Sequence, residues 1–220
     1  MRKKLIIFDL DGTLLNTSYD LADFMNAMLT HFGYPHITVE QAKRYIGNGA
    51  RNFVLRSLPD SAKDRADECL AVYNGIYNAS NSPKTALYDG MAEVLRFIKE
   101  RGAFLAIASN KPQVSTDKVC ERYLRTFGFD IVYGKREGFG HKPNKECGEY
   151  ILRELNVSPE DALVIGDGET DVAFSKNLGC GCVAVTWGYR SREVLKDAGA
   201  EIFADSPEEL KDIIGEFLNK

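Results

Sequence analysis

The hydrophobic and polar positions of this chain alternate between two periods. Short, nearly continuous apolar runs of the kind that form buried strands are separated by longer segments whose apolar residues recur at helical spacing. The runs predict six strands, at residues 5–8, 104–108, 131–133, 163–165, 183–186 and 201–204.

The helical segments between these runs have recognisable ends. After Asp89, which can cap a helix, the apolar positions 91, 94, 95 and 98 fall on one face, and Gly102 ends the pattern. Ser206 and Pro207 offer an N-cap followed by proline at the first helical position. Strands that alternate with helices in this way predict an α/β fold, a doubly wound parallel sheet with helices on both faces.

One long segment interrupts the alternation. Residues 16–84 contain no convincing strand, whereas Leu21, Met25 and Met28 sit at helical spacing. We therefore predict two domains. Residues 1–15 and 85–220 would form a Rossmann-like core, and residues 16–84 would form a helical domain inserted after the first strand.

Composition narrows the classes of protein. The 220 residues, 44% hydrophobic and 27% charged, suffice for one core and a small second domain. The net charge of −4, with both signs interspersed, offers no basic face, so we expect no nucleic-acid partner. The apolar runs are too short to cross a bilayer, so we expect no membrane partner and a cytoplasmic location. The five cysteines form no CxxC pair and are expected to be reduced.

Polar residues follow three of the predicted strands. Asp9 comes directly after strand 5–8, Ser109 directly after strand 104–108, and Asp167 after strand 163–165 with one glycine between. Because ligands of doubly wound sheets bind beyond the carboxyl ends of the strands, we expect these side chains to line one cleft.

Four acids would meet in this cleft, namely Asp9, Asp11, Asp167 and Asp171. Their mutual repulsion is costly unless a cation neutralises it. Carboxylate and carbonyl oxygens suit Mg²⁺, which commonly shares its coordination sphere with substrate phosphate. The sequence therefore predicts a Mg²⁺ site and a phosphorylated substrate.

The negative charge of such a substrate requires donors on its other side. Ser109 and the neighbouring backbone N–H groups could supply hydrogen bonds. Among the lysines we favour Lys142, because glycines and a proline fix the loop around it; Lys111 and Lys145 are nearby competitors.

Two carboxylates beside a metal-bound phosphate indicate covalent phosphoryl transfer. Asp9 would attack phosphorus and form an acyl phosphate. Asp11 would protonate the leaving oxygen and then take a proton from the water that hydrolyses the intermediate.

The segments FDLDGTLLNT, AIASNKP, HKP and VIGDGETDVAFSKNLG, in this order, resemble the four motifs of the haloacid dehalogenase-like phosphohydrolase superfamily. The helical insertion between the first two resembles the C1 cap of that superfamily. The resemblance implies that Asp9 is the nucleophile and Asp11 the general acid and base. It further implies that Ser109 and Asn110 hold the phosphoryl group, that Lys142 ties it to the nucleophile, and that Asp9, the backbone carbonyl of Asp11 and Asp167 bind Mg²⁺, with Asp171 in support.

A narrower resemblance concerns the substrate. The segments YIGNGARNFVLRSL, SNKP and VAVTWGYRSREVL look like bacterial phosphoglycolate phosphatases, which implies 2-phosphoglycolate, a small phosphorylated metabolite. The loop at 47–49, with Lys43, Arg44 and Arg51 around it, could close over the cleft and bind a substrate carboxylate. The alternative is that these three residues form a solvated basic helix face. We expect a monomer or a homodimer.

Other functions stay open. A phosphosugar mutase resembling β-phosphoglucomutase would use the same Asp9 nucleophile but return the phosphoryl group to a sugar. Nucleotidase or pyrophosphatase activity of the same fold would depend on the cap. A receiver-like binding domain is disfavoured, because Lys142 precedes the second acidic cluster and the chain carries a helical insertion.

Overall fold

The computed structural model describes residues 3–138 and 140–220. Within this part of the chain the strands are β1 (Leu5–Phe8), β2 (Leu15–Asn16), β3 (Ala86–Leu87), β4 (Phe104–Pro112), β5 (Ile131–Lys135), β6 (Ala162–Gly166), β7 (Gly181–Val185) and β8 (Phe203–Ala204). The α-helices are α1 (Ser18–His31), α2 (Val39–Tyr45), α3 (Ala50–Ser57), α4 (Ala66–Ala79), α5 (Met91–Glu100), α6 (Gln113–Tyr123), α7 (Glu146–Leu155), α8 (Glu169–Leu178), α9 (Arg192–Asp197) and α10 (Pro207–Leu218). Three short 3₁₀ helices lie at Asp60–Arg65, Arg125–Phe127 and Pro159–Asp161.

Six of these strands form one parallel sheet in the order β5-β4-β1-β6-β7-β8. Successive side chains of β1 are buried on opposite faces of the sheet. Ile6 and Phe8 pack with residues of α5 and α10, while Leu5 and Ile7 pack with residues of α7 and α8. The sheet is thus covered on both sides, and the predicted doubly wound α/β fold is confirmed.

The strand β4 runs further than its apolar run predicts. The structure continues it from Ala108 to Pro112, with a shift in its register against β5 between these two residues. As a result Ser109, Asn110 and Lys111 are buried within the strand instead of following it in an open loop.

The N-terminal caps of two predicted helices, α10 and α5, differ in how well the sequence predicts them. Ser206 caps α10 as expected, because its Oγ accepts a hydrogen bond from the N–H of Glu209 at 3.2 Å. The prediction that Asp89 caps α5 was wrong. The N-cap is Gly90, which has a φ of 88°, a left-handed conformation that glycine adopts without strain.

A short antiparallel ribbon joins the inserted helices to the sheet. The strands β2 and β3 pair Leu15 with Leu87 and Asn16 with Ala86, so both crossings of the chain pass through this ribbon. The predicted boundary 15/16 falls within β2, and the boundary 84/85 falls just before β3. The division into two domains stays a prediction, and we call residues 16–84 the cap.

The cap is held together by its own apolar interior. The helix α1 packs on α4 and α2, and α3 packs on α4. Phe24 meets Tyr77 edge to face at 5.5 Å between ring centroids, and Phe53 meets Tyr73 likewise at 5.8 Å. Within the residues described, no helix combines the length and the apolar composition that crossing a bilayer requires.

Candidate active site

The carboxyl ends of β4, β1 and β6 bring the predicted polar residues together. Asp9 directly follows β1, Asp167 directly follows β6, and Ser109 lies near the end of β4. The N–H of Asp9 donates to the carbonyl oxygen of Ile165 at 2.8 Å, which continues the β1–β6 ladder up to the site. Since β1 lies between the other two strands, Asp9 is the central residue of this edge.

Three carboxylates form one cluster here. Asp9, Asp167 and Asp171 each offer an oxygen, and these oxygens lie within 4.8 Å of one another. Burial, together with the charges of Asp171 and Asp167, raises the pKa of Asp9 to about 8 against the opposing effect of Lys142. Burial and Asp171 raise the pKa of Asp167 to about 7. Clustered buried acids with an all-oxygen donor set are what a hard divalent cation such as Mg²⁺ requires.

The orientation of Asp167 is fixed by its neighbours. Its Oδ1 accepts from Thr13 Oγ1 at 3.0 Å and its Oδ2 accepts from the backbone N–H of Tyr189 at 2.7 Å. A Cβ built on either Gly12 or Gly188 would overlap the Asp167 side chain, and Gly12 also has a φ of 94°. These two glycines therefore allow the backbone to close around the carboxylate.

Lys142 connects two members of the acidic cluster. Its Nζ donates to Asp9 Oδ1 and to Asp171 Oδ1, each at 2.6 Å, and its side chain is only 3% exposed. Burial alone would lower the pKa of this ammonium, but the charges of Asp171 and Asp9 raise it above its ordinary value. Asp171 is held from the other side by the N–H of Gly168 at 3.0 Å. The loop lysine that the sequence favours thus lies against the predicted nucleophile.

The polar residues of β4 lie on the core side of the site together with Asp9 and Asp11. Asn110 Nδ2 donates to the backbone carbonyls of Lys142 and of Gly47 in the cap, at 3.0 Å each. Its Oδ1 is the one buried side-chain oxygen or nitrogen among the described residues that has no hydrogen-bond partner. Buried polar atoms are rarely left unpaired, so this oxygen marks a place for a donor from a ligand or a water.

Asp11 is turned away from the acidic cluster. Lys111 Nζ donates to both of its oxygens, at 3.0 and 2.8 Å, and Thr17 Oγ1 donates to Oδ1 at 2.8 Å. Although burial disfavours its ammonium, the charge of Asp11 raises the pKa of Lys111 above its ordinary value. The Asp11 side chain therefore lines the cavity without joining the acidic cluster, and both its acid–base role and its expected metal contact through the backbone carbonyl stay predictions.

A cavity lies between the cap and the edge of the sheet. Its core-side wall is polar and contains Asp9, Asp11, Ser109, Asn110 and Lys111. Its cap-side wall is largely apolar or aromatic and contains Leu21, Ile46, Phe53, Tyr73 and Tyr77. A polar wall at the reacting groups facing an apolar cover is typical of a small-molecule site.

The predicted substrate ligand Arg51 is not brought to this cavity. Its Nε donates to Asp67 Oδ1 at 2.9 Å on the cap surface, and its side chain is 55% exposed. It is absent from the residues that line the cavity, although its neighbour Ala50 lines it. Its role in binding substrate stays a prediction that this arrangement does not support.

Sequence reasoning gave too little weight to Tyr189 and Arg190, which follow β7. Tyr189 OH accepts from the N–H of Thr17, the residue that enters the cap. Arg190 donates to the cap carbonyls of Lys43 at 2.8 Å and Ile46 at 2.6 Å. In the sequence these two residues stand out only as part of the segment WGYR after a predicted strand end. The cap residues that they contact are known only once the cap is folded.

Comparisons with known proteins agree with this geometry. The family model for haloacid dehalogenase-like hydrolases matches residues 6–185. A phosphoglycolate phosphatase from Vibrio parahaemolyticus is 30% identical over 220 residues, covering 96% of both chains. One from Aliivibrio fischeri is 31% identical over 209 residues, covering 92% of both.

Solved structures agree as well. A protein from Lactobacillus delbrueckii subsp. bulgaricus superposes with a TM-score of 0.90 at 27% identity, covering 97% of this chain and 99% of its own. A haloacid dehalogenase-like family protein from Streptococcus pneumoniae, 22% identical, shares the fold with a TM-score of 0.85, covering 96% of this chain and 98% of its own. The predicted family is therefore confirmed, and this chain is a member of the haloacid dehalogenase-like hydrolases.

Proposed function

We propose that this protein is a Mg²⁺-dependent phosphatase that hydrolyses small phosphomonoesters through a phosphorylated Asp9, with 2-phosphoglycolate as the leading substrate. The observation that carries the proposal is the position of Asp9. Its carboxylate accepts from the buried ammonium of Lys142 and clusters with the acids Asp167 and Asp171, and Asp9 lines the cavity beneath the cap.

The first step forms a bond between Asp9 and phosphorus. Lys142 holds Asp9 Oδ1, and the other carboxylate oxygen would attack in line while the ester P–O bond breaks. The Ser109 hydroxyl and the backbone N–H of Asn110, two residues that line the cavity, would donate to the phosphoryl oxygens. The side-chain N–H groups of Asn110 already donate to the carbonyls of Gly47 and Lys142.

The metal fits the acidic side of the same site. Asp9, Asp167 and the backbone carbonyl of Asp11 would hold Mg²⁺, with Asp171 in support, and the bound ion would neutralise charge on the phosphoryl oxygens.

Asp11 handles the protons. Its protonated carboxyl group would give a proton to the leaving oxygen, and the resulting carboxylate would take one from the water that attacks the aspartyl phosphate. Asp11 is 13% exposed at its side chain and lines the cavity on the leaving-group side, which suits both transfers. Inorganic phosphate then leaves, and Asp9 and Asp11 return to their starting states.

The substrate assignment rests on the relatives and on the size of the site. The curated relatives described above are named phosphoglycolate phosphatases, and the aromatic cap residues Phe53, Tyr73 and Tyr77 leave room for a small leaving group. We also propose a cytoplasmic location and a monomeric or homodimeric state, in keeping with a small phosphorylated metabolite as substrate.

The test is phosphate release from 2-phosphoglycolate, hexose phosphates, nucleotides and pyrophosphate, each with Mg²⁺ and with a chelator. We expect metal-dependent release that is fastest from 2-phosphoglycolate and absent in Asp9→Asn. Release that persists in purified Asp9→Asn would contradict the mechanism. Conversion of a hexose phosphate that requires a sugar bisphosphate would instead identify a mutase.

A further inference from the structure

We propose that Lys111 is the residue that selects the substrate, by binding a carboxylate or similar anionic group carried on the leaving alcohol of the phosphoester. This inference rests on the proposed phosphatase function. It assigns to Lys111 the role that the sequence suggested for Arg51.

The charge of the cavity favours this role for Lys111. Among the described residues that line it, Lys111 is the only cationic side chain, whereas Asp9 and Asp11 are both acidic. Lys142 is engaged by Asp9 and Asp171 on the phosphoryl side of the site, and Arg51 is paired with Asp67 on the cap surface. An anionic group that enters beneath the cap therefore finds one cation, Lys111, among the described lining residues.

The direction in which the leaving group would extend favours the same role. Asp11 must approach the leaving oxygen in order to protonate it, so the leaving alcohol has to lie beside Asp11. The Lys111 Nζ is 2.8 Å from Asp11 Oδ2 and 3.0 Å from Oδ1. A substituent on the leaving oxygen that extends by two or three atoms must then pass close to this ammonium.

The medium around the Lys111 ammonium would strengthen its interaction with an anion. The Lys111 side chain is only 6% exposed, and its Nζ lies 5.2 Å from the centroid of the Tyr77 ring. Phe53, Tyr73 and Pro112 line the same space. An ion pair formed in such surroundings is stronger than one in water, so a charged leaving group gains far more from Lys111 than a neutral one.

Lys111 can change partners without a backbone movement. Its ammonium ends a flexible four-carbon chain, and Asp11 is also held by Thr17 Oγ1 at 2.8 Å. A substrate anion could therefore take the lysine from Asp11 while Thr17 keeps the acid oriented. The competing explanation is that Lys111 does no more than hold Asp11 in place.

Two esters of similar size separate these explanations. We would measure kcat/KM for 2-phosphoglycolate and for 2-hydroxyethyl phosphate, whose leaving alcohol is neutral, with wild type, Lys111→Met and Lys111→Arg. The matched control is Lys99→Met, which removes another lysine paired with an aspartate, Asp130, away from the cavity.

We expect wild type to prefer 2-phosphoglycolate and Lys111→Met to reduce that preference by about 10- to 100-fold, the range for losing a hydrogen bond to a charged group. Lys111→Arg should restore part of the preference, and Lys99→Met should keep it.

Equal losses for both esters in Lys111→Met would overturn the proposal, because a residue that only positions Asp11 serves both substrates alike. If the methionine variant does not fold, the wild-type protein alone tests the proposal. Similar wild-type kcat/KM values for the two esters would overturn the role of Lys111 as well. Both outcomes leave the proposed function standing, whereas a wild type that releases phosphate from no ester would overturn the function and the role of Lys111 together.

Discussion

Replacing Arg190 by alanine would remove one of the side chains that join the cap to the core beside the active site. Its guanidinium donates to the carbonyl oxygens of Lys43 at 2.8 Å and Ile46 at 2.6 Å, at the end of α2, and its Nε donates to Glu169 Oε2 at 2.9 Å. The variant would leave two carbonyls at a helix C-terminus without their donor.

The size of the effect follows from these contacts. A hydrogen bond from a charged donor contributes about 1.5–3 kcal/mol. The Arg190 side chain is 12% exposed, so we take the lower value for each of the two bonds to the cap. The sum of about 3 kcal/mol is opposed by about 1.5–2 kcal/mol of side-chain entropy, and the difference of about 1–1.5 kcal/mol corresponds to a roughly 5- to 12-fold change in the docking equilibrium.

Docking of the cap on the core affects catalysis because Ile46, at the end of α2 that Arg190 holds, lines the cavity. If substrate binds only beneath a docked cap, its apparent affinity falls with the docked fraction. We expect Arg190→Ala to lower kcat/KM for 2-phosphoglycolate by up to this factor, mainly through KM, and to expand the molecule in small-angle X-ray scattering. Arg190→Lys should recover only part, because one ammonium cannot replace a planar fork of N–H donors.

The matched control is Arg51→Ala, another arginine near the cavity, whose ion pair with Asp67 is exposed. We expect a change smaller than about twofold, because exposed ion pairs contribute little. The reasoning would be refuted if Arg190→Ala kept both the kcat/KM and the scattering profile of wild type. A loss in Arg51→Ala as large as that in Arg190→Ala would instead support the original prediction that Arg51 binds substrate.

Three further predictions concern the core of the site. Asp11→Asn should keep the fold, since the amide oxygen can still accept from Thr17, and a melting curve tests this. It should lower turnover by about 10²- to 10⁴-fold because both proton transfers are lost, which burst kinetics test. Gly12→Ala should destabilise the protein by at least about 1–3 kcal/mol in urea unfolding, because its φ is 94° and the new methyl group would meet Asp167; a wild-type midpoint would contradict this. Mg²⁺ at about 100 times its dissociation constant should stabilise the folded state by about 2.7 kcal/mol, seen as a rise in the melting temperature. Asp167→Asn should reduce this rise. An equal rise in wild type and variant would argue against the proposed ligand set.

The sheet and its acids were accessible from sequence for a simple reason. Asp9 and Asp167 follow continuous apolar runs, and parallel strands place such positions on one edge whatever the details of packing. The cap helices were equally accessible, because their apolar spacing is set within each helix. The ribbon of β2 and β3 was missed, since two-residue strands leave no periodic signal.

The lysines show where prediction stops. Three of them, Lys111, Lys142 and Lys145, lie in similar polar segments of the sequence. In the structure Lys142 forms an ion pair with Asp9 and Lys111 forms one with Asp11, whereas Lys145 pairs with Glu149 on the surface. These outcomes depend on the register shift in β4 and on the tertiary contacts that Lys142 and Lys145 make, neither of which a sequence pattern reveals.

Thr17, at the start of the cap helix α1, contacts the proposed proton donor Asp11 and does not cap its own helix. Threonine at a helix N-cap normally accepts a hydrogen bond from the first turn, yet Thr17 makes no such bond to α1. Its Oγ1 instead donates to Asp11 at 2.8 Å and lies 3.0 Å from Tyr189 OH, whose own backbone N–H binds Asp167. A residue that gives up its favoured local bond points to a functional constraint. Any rotation of α1 about the ribbon must therefore move a hydrogen-bond partner of Asp11, so the position of the cap and the orientation of the proposed proton donor are physically linked.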